Sequence, residues 1–240
     1  MALRLTPRGR RVVGLAATML VTGLIATVVI AAGATPRQKP VPSPPPAAAQ
    51  VAAPTKYVVL TFDDGPDPTY TPRILDILQK YDAKATFFEV GKNVQRHPEL
   101  TRQIHELGNS VQNHTWTHAD LRKLSAASFV DQIQSTDQVI REQTGETPGC
   151  LRPPYGGVNA LVTQRARGLD KDLVLWDVDS RDWSKPGTAA IVKRVLAGAK
   201  NGAVILMHDG GGNRSETVAA LPTILKTLKA KGYGFETLSC

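Results

Sequence analysis

Acidic side chains are missing from the first fifty residues, and the whole 240-residue chain has only two cysteines and 5% aromatics. Each shortage closes off a class of protein. Neither Cys150 nor Cys240 has the neighbouring cysteine that a thiolate metal site needs, and neither is read as a nucleophile. A stripe of Lys and Arg interleaved with aromatics is also absent, which argues against nucleic acid as a partner. The net charge of +8 first suggests a polyanion ligand, but Arg4, Arg8, Arg10, Arg11, Arg37 and Lys39 supply +6 of it. The remainder carries 23 Lys and Arg against 21 acids and is nearly neutral, its basic residues scattered as on solvated faces. No internal repeat divides the chain.

The uncharged N-terminal stretch is the first feature present. Val12 to Ala32 runs twenty-one residues rich in Leu, Val, Ile and Ala, long enough to span a bilayer. Residues 1–34 therefore read as an export segment. The length favours a retained membrane anchor, with Arg8, Arg10 and Arg11 on the cytoplasmic side. Ala32-Gly33-Ala34 is the alternative, a cleavage site that would release the protein. Residues 35–55 are rich in Pro and Ala, and the fixed φ and missing donors of proline make an extended spacer. A folded domain is expected over 56–240, and its 185 residues suffice for one core. In an exported chain the two cysteines suggest a Cys150–Cys240 disulfide, worth about 4 kcal/mol by chain entropy, with two unpaired thiols as the alternative.

Short apolar, β-branched or aromatic runs alternate with longer segments of helical period. The strand candidates are YVVLTF, ATFFEV, SVQNH, CLRPPY, LVLWDV, AVILMH and GFETL. Six segments between them carry apolar residues three or four apart, several ending at Gly. About seven parallel strands in an α/β chain too short for eight complete units predict a distorted, incomplete (β/α) barrel.

The polar residues fall at the carboxyl ends of the predicted strands, which in a barrel share one face. Asp63 and Asp64 follow the first, His114 closes the third, Arg152 to Tyr155 end the fourth, Asp179 to Trp183 follow the fifth and His208 closes the sixth. His114 and His118 in HTWTH stand four apart, so a helical turn or a tight loop could aim both at one ion, with Asp64 as third ligand. By itself an HxxxH spacing is weak evidence against surface or core histidines. The adjacent carboxylates add to it, because a buried Asp-Asp pair is costly unless a cation or an arginine such as Arg152 compensates. The plain alternative for DDGPDP is a solvated acidic turn.

Five motifs in order resemble those of the NodB-like polysaccharide deacetylases, carbohydrate esterase family four. They are TFDDG at Thr61 to Gly65, the His114 to His118 pair, Arg152 with Pro154 and Tyr155, Asp179 with Asp182 and Trp183, and Leu206 with His208. No motif position departs, and the resemblance covers essentially all of 56–240. It implies that Asp64, His114 and His118 hold one divalent metal, most often Zn2+ with Co2+, Mn2+ or Ni2+ as alternatives, which polarises the acetyl carbonyl and acidifies water. Asp63 would be the general base, oriented and kept ionised by Arg152, and the backbone N–H of Tyr155 would help hold the oxyanion. His208 would be the general acid, with Asp182 raising its proton affinity. Leu206 and Trp183 would line the acetyl pocket, with Pro154 contacting substrate. Asp179 has no assigned role beyond a turn acceptor.

Trp116 is read as packing, His97 and His105 as surface residues, and the glycines after His208 as giving a loop mobility beside the substrate. The expected activity is hydrolytic deacetylation of N-acetylglucosamine units in an envelope or extracellular glycan by a monomeric enzyme. Peptidoglycan is favoured over chitooligosaccharide because a tethered enzyme meets it first. An acetyl-ester hydrolase, as on acetylated xylan, is the runner-up, and a noncatalytic glycan-binding wall protein the third reading.

Overall fold

A computed structural model describes residues 54–240. The anchor or signal assigned to 1–34 and nearly all of the 35–55 linker lie outside the described residues. Within them, no helix is long and apolar enough to cross a membrane.

Eight parallel strands form one curled sheet: β1 (Lys56–Asp63), β2 (Ala85–Glu89), β3 (Ser110–Asn113), β4 (Cys150–Leu151), β5 (Asp172–Leu173), β6 (Val178–Asp179), β7 (Ala203–His208) and β8 (Tyr233–Phe235). Their order is β5-β4-β3-β2-β1-β7-β6, with β8 paired to the start of β1. The strand predicted over LVLWDV is two strands. Its beginning pairs with β4 and its end with β7, so the two ends of the sheet are joined by one short connection. Val174 N–H still donates to Leu151 and Asp177 N–H to Val204, leaving Leu175 and Trp176 as the seam of an incompletely closed barrel.

Period-two alternation explains how the strands serve two purposes. Val58, Leu60 and Phe62 of β1, Ala85 and Phe87 of β2, and Ala203, Ile205 and Met207 of β7 enter the main core beneath the helices. The alternate residues Thr61, Asp63, Leu206 and His208 turn to the other face. Asp63 is the register partner of His208, and Thr61 of Leu206. Phe62 and Phe87 stack in the core at 5.2 Å between ring centroids.

Among the described residues seven α-helices cover the sheet: α1 (Thr71–Lys80), α2 (Gly91–Arg96), α3 (Pro98–Glu106), α4 (Ala126–Thr144), α5 (Ala160–Arg167), α6 (Thr188–Gly198) and α7 (Ser215–Ala230). Helical spacing puts Phe129, Ile133, Thr136 and Ile140 of α4 on its buried face. Ser125 caps that helix by accepting from Ser128 N–H, a contact worth about 1 kcal/mol, and Gly145 ends it at a φ of 78°. The short α2 was not anticipated, because six residues give too little apolar period to read.

Cys150 and Cys240 form the expected disulfide, with Cα atoms 5.5 Å apart and a sequence separation of 90. The C-terminal tail is thereby a strap across the strand starts, opposite the face carrying the polar motifs. Glu236 N–H donates to Val58, Leu238 N–H to Thr86 Oγ1, and Cys240 reaches β4. Cys240→Ser is expected to cost about 4 kcal/mol by the loop-entropy relation, read from urea unfolding. A reductant-insensitive midpoint in the wild type would show that the strap adds nothing.

Candidate active site

β1 ends in Asp63 and hands the chain to Asp64, whose φ of 76° lies in the left-handed region. β3 is followed by His114, and HTWTH is a tight loop in which Thr115 and His118 are also left-handed, at 70° and 59°. Tyr155 at 60°, Arg181 at 56° and Lys185 at 52° complete the set. Six of the eight non-glycine residues with positive φ thus lie on loops of this one face. Such conformations cost of order 1 kcal/mol each and persist where tertiary contacts impose them.

His114 Nε2 and His118 Nε2 lie 3.5 and 3.2 Å from Asp64 Oδ1, and one ligand atom from each residue falls within 4.8 Å of the others. Among the described residues this is the group of His and carboxylates arranged to hold an ion. The donor set suits a divalent metal on three grounds. Asp64 Oδ1 is buried without a hydrogen-bond partner. His114 Nδ1–H donates to the Arg152 carbonyl at 2.7 Å, the tautomer that puts the lone pair of the neutral ring on Nε2. Burial, with the neighbouring His114 ring, holds His118 below the ordinary histidine range and so neutral. Burial opposes the charge on Asp64, but the imidazoles of His114, His208 and His118 facing it outweigh burial and hold the carboxyl well below its usual range.

Arg152 is wholly buried and joins the site to the seam. Nη1 donates to Asp63 Oδ1 and to Thr61 Oγ1, both at 2.7 Å, while Nη2 and Nε donate to the carbonyls of Leu175 and Val174. Its guanidinium lies 4.1 Å over the Phe88 ring and 5.8 Å from Trp176. Asp63 Oδ2 stays open toward the donor set, 3.7 Å from His114 Nε2. On the neighbouring strand His208 Nδ1 meets Asp182 Oδ1 at 2.7 Å. Asp182 Oδ2 accepts from His208 N–H and Thr217 Oγ1. Burial works against the charged His208 ring, but Asp182, helped by Asp63 and Asp64, raises its proton affinity above the ordinary value.

These groups open into a cavity of about 470 Å3, also lined by Pro153, Tyr155, Trp176, Asp179, Trp183 and Leu206. Tyr155 is 71% exposed, its ring edge-on to His118 at 4.7 Å, and Trp183 is 49% exposed. Pro153 and Pro154 are both buried, and of the two Pro153 lines the cavity while Pro154, expected at the substrate, starts the turn beside it. Asp179 lines the cavity and also accepts from Arg181 N–H. Trp116 packs on Gly91, where a Cβ would come within 2.4 Å of the indole. His97 and His105 are half-buried and lie outside the cavity.

Sequence reasoning missed three residues. Trp176 reads as a strand interior but stands at the seam, 3.1 Å from where a Cβ on Gly156 would be. Glu89 and Asp209 are fully buried at the ends of β2 and β7, accept from Thr101 and Thr71, and each keeps one oxygen without a partner. Burial pushes Asp209 up to about 7 and Glu89 well above its ordinary value, the nearby acids adding to both. Burial of an acid beside β-strand apolar residues leaves no periodic signal that would reveal it.

The fold and this constellation are those of an α/β protein with a candidate metal site at its strand ends. The polysaccharide deacetylase family profile matches residues 50–174, and the chain belongs to that family and is a polysaccharide deacetylase. It is 44% identical over 186 residues to a peptidoglycan-N-acetylglucosamine deacetylase of Bacillus cereus, covering 77% of this chain and 87% of that protein. A chitooligosaccharide deacetylase of Rhizobium leguminosarum bv. trifolii is 37% identical, at 76% and 90% coverage. The family 4 carbohydrate esterase from Streptomyces lividans, solved in complex with acetate, superposes with a TM-score of 0.73 at 39% identity, covering 78% and 95%.

The raised proton affinity of Glu89 carries a pH signature. The unfolded chain releases this proton near 4.5 and the folded protein releases it later, so stability falls as pH rises between the two. Glu89→Gln removes that dependence and is expected to gain stability relative to wild type from about pH 5 to about pH 8. A difference in melting temperature that is the same at both pH values would count against a neutral buried Glu89.

Proposed function

We propose that this enzyme hydrolyses the N-acetyl amide of N-acetylglucosamine units in peptidoglycan, using a divalent metal at Asp64, His114 and His118, a base at Asp63 and an acid at His208. The observation that carries the reading is the register pairing of Asp63 with His208 beside the ligand set. Each has one atom tied by a buried partner and a second atom left for the substrate. A bound metal would supply Lewis acidity toward the acetyl carbonyl and the attacking water.

With Oδ1 held by Arg152, Asp63 Oδ2 takes the proton from water as its oxygen attacks the acetyl carbon. The backbone N–H of Tyr155 donates to the developing oxyanion. Asp182 occupies His208 Nδ1, so the proton on Nε2 passes to the amine nitrogen as the carbon–nitrogen bond breaks, giving acetate and a free amine. Leu206 and Trp183 lie where the acetyl methyl would be enclosed. Zinc is the proposed metal, from the two-imidazole, one-carboxylate donor set.

Peptidoglycan is chosen over free chitooligosaccharide because residues 12–32 would hold the enzyme on the outer face of the cell membrane, with residues 35–55 as spacer and the catalytic domain acting as a monomer. The named activity of the Bacillus relative supports the same glycan. Cleavage near Ala34 would release the domain without changing the chemistry.

Acetate release from peptidoglycan, chitooligosaccharides and acetylated xylan tests the substrate, with the highest kcat/KM expected on peptidoglycan. Activity confined to xylan would overturn the amide reading. Asp63→Asn and His208→Asn are each expected to lower kcat roughly 10²- to 10⁴-fold while bound metal is unchanged. Because Asp182 raises the proton affinity of His208, Asp182→Asn lowers it. The alkaline limb of the kcat profile is then expected to move down by roughly one unit or more. An unmoved limb would remove His208 as the acid.

A further inference from the structure

Two of the glycines after His208 lie hard against the turn that carries Asp64. A Cβ on Gly210 would come within 2.2 Å of the Asp64 carbonyl oxygen, and one on Gly211 within 2.4 Å of Asp64 Oδ2. In the other direction, a Cβ on Gly65 would meet the Asp209 carboxyl at 2.2 Å. The segment Asp209–Gly211 therefore lies directly against the turn that carries the metal ligand.

The backbone of that turn is already fixed from its other sides. Asn93 Nδ2 donates to the Asp64 carbonyl and Val90 N–H to the Gly65 carbonyl, both at 2.9 Å, and Asp209 N–H donates to the Asp63 carbonyl at 3.1 Å. What these bonds do not set is the orientation of the Asp64 carboxylate. Its Oδ1 faces the two imidazoles with no hydrogen-bond donor of its own, and its Oδ2 stands against the bare Cα of Gly211.

We infer that Gly211 is a positioning residue for Asp64: its missing side chain leaves a surface against which the carboxylate rests in the ligating orientation, so the loop after His208 tunes metal affinity. The inference rests on the reading of Asp64, His114 and His118 as a metal site. Gly211 has a φ of 71°, so glycine would be favoured there by backbone conformation alone, and the two reasons must be separated. Gly212 separates them. It is equally exposed, has a φ of 139°, and a Cβ on it would find only Arg214 Nη2, at 3.9 Å.

The test is the zinc dissociation constant, measured by chelator competition on the wild type, Gly211→Ala and Gly212→Ala, with thermal unfolding of the metal-free proteins alongside. Gly211→Ala is expected to weaken zinc roughly 10- to 100-fold, the range for outer-shell partners of metal ligands, while Gly212→Ala binds as the wild type does. Metal-free melting temperatures are expected to fall for both variants, since positive φ disfavours alanine at either position, and kcat of Gly211→Ala should recover at saturating zinc. Gly211→Asn, which tolerates left-handed φ better yet keeps the Cβ, is expected to weaken zinc as Gly211→Ala does. Equal weakening by Gly211→Ala and Gly212→Ala, or wild-type binding by both Gly211 variants, overturns the inference alone. A wild-type protein that takes up no zinc overturns the metal-site reading and this inference with it.

Discussion

A buried guanidinium holds the halves of this molecule together. Arg152 is removed from water, and its charge is met by Asp63, its remaining donors by Thr61 and by the two carbonyls at the seam between β5 and β6. Leu175 and Trp176 interrupt the ladder there, and unpaired carbonyls inside a protein are costly. Arginine suits the position because its planar fork serves several acceptors at once, which lysine could not do. The Arg152 carbonyl also sets the tautomer of His114. One residue thus bridges the seam, aligns the proposed base and orients a proposed metal ligand, so stability and chemistry are coupled at this point.

The site is built from strand ends because alternation lets one strand serve two environments. Outward residues of β1 and β7 anchor in a continuous apolar core, and the inward neighbours inherit that rigidity. The loops beyond can then hold left-handed residues such as Asp64, His118 and Tyr155, whose strain the packed strands and hydrogen bonds offset. Two buried acids, Glu89 and Asp209, lie behind this face. Burial raises the proton affinity of both, which favours the neutral acid behind this face.

Much of this was legible before any coordinates. The parallel barrel follows from seven apolar runs alternating with helical segments, and the placement of Asp63, His114, Arg152 and His208 at run ends identified the functional face. The division of LVLWDV into β5 and β6 was not legible, since a continuous apolar run carries no mark of which neighbour each half will pair with. That Pro153 lines the cavity was not legible either, since composition does not say which of two adjacent prolines in a turn faces it. The helix α2 was too short to show a period. The glycines after His208 looked like mobility, and only their neighbours reveal a close approach to Asp64.

Residue types and their order, taken alone, determined the chemistry available to this protein: two carboxylates, three imidazoles and an arginine at the ends of strands, and a pair of cysteines free to join. These are properties of side chains and of local periodicity, which a chain carries in any conformation. Only tertiary structure decided which oxygen of Asp63 faces Arg152, which nitrogen of His114 is free, and that Asp182 reaches His208 from another loop. It also decided that Trp176 and the buried Glu89 and Asp209 surround the site. Those facts depend on distances between residues far apart in sequence, and such distances exist only once the sheet has curled and its seam has closed.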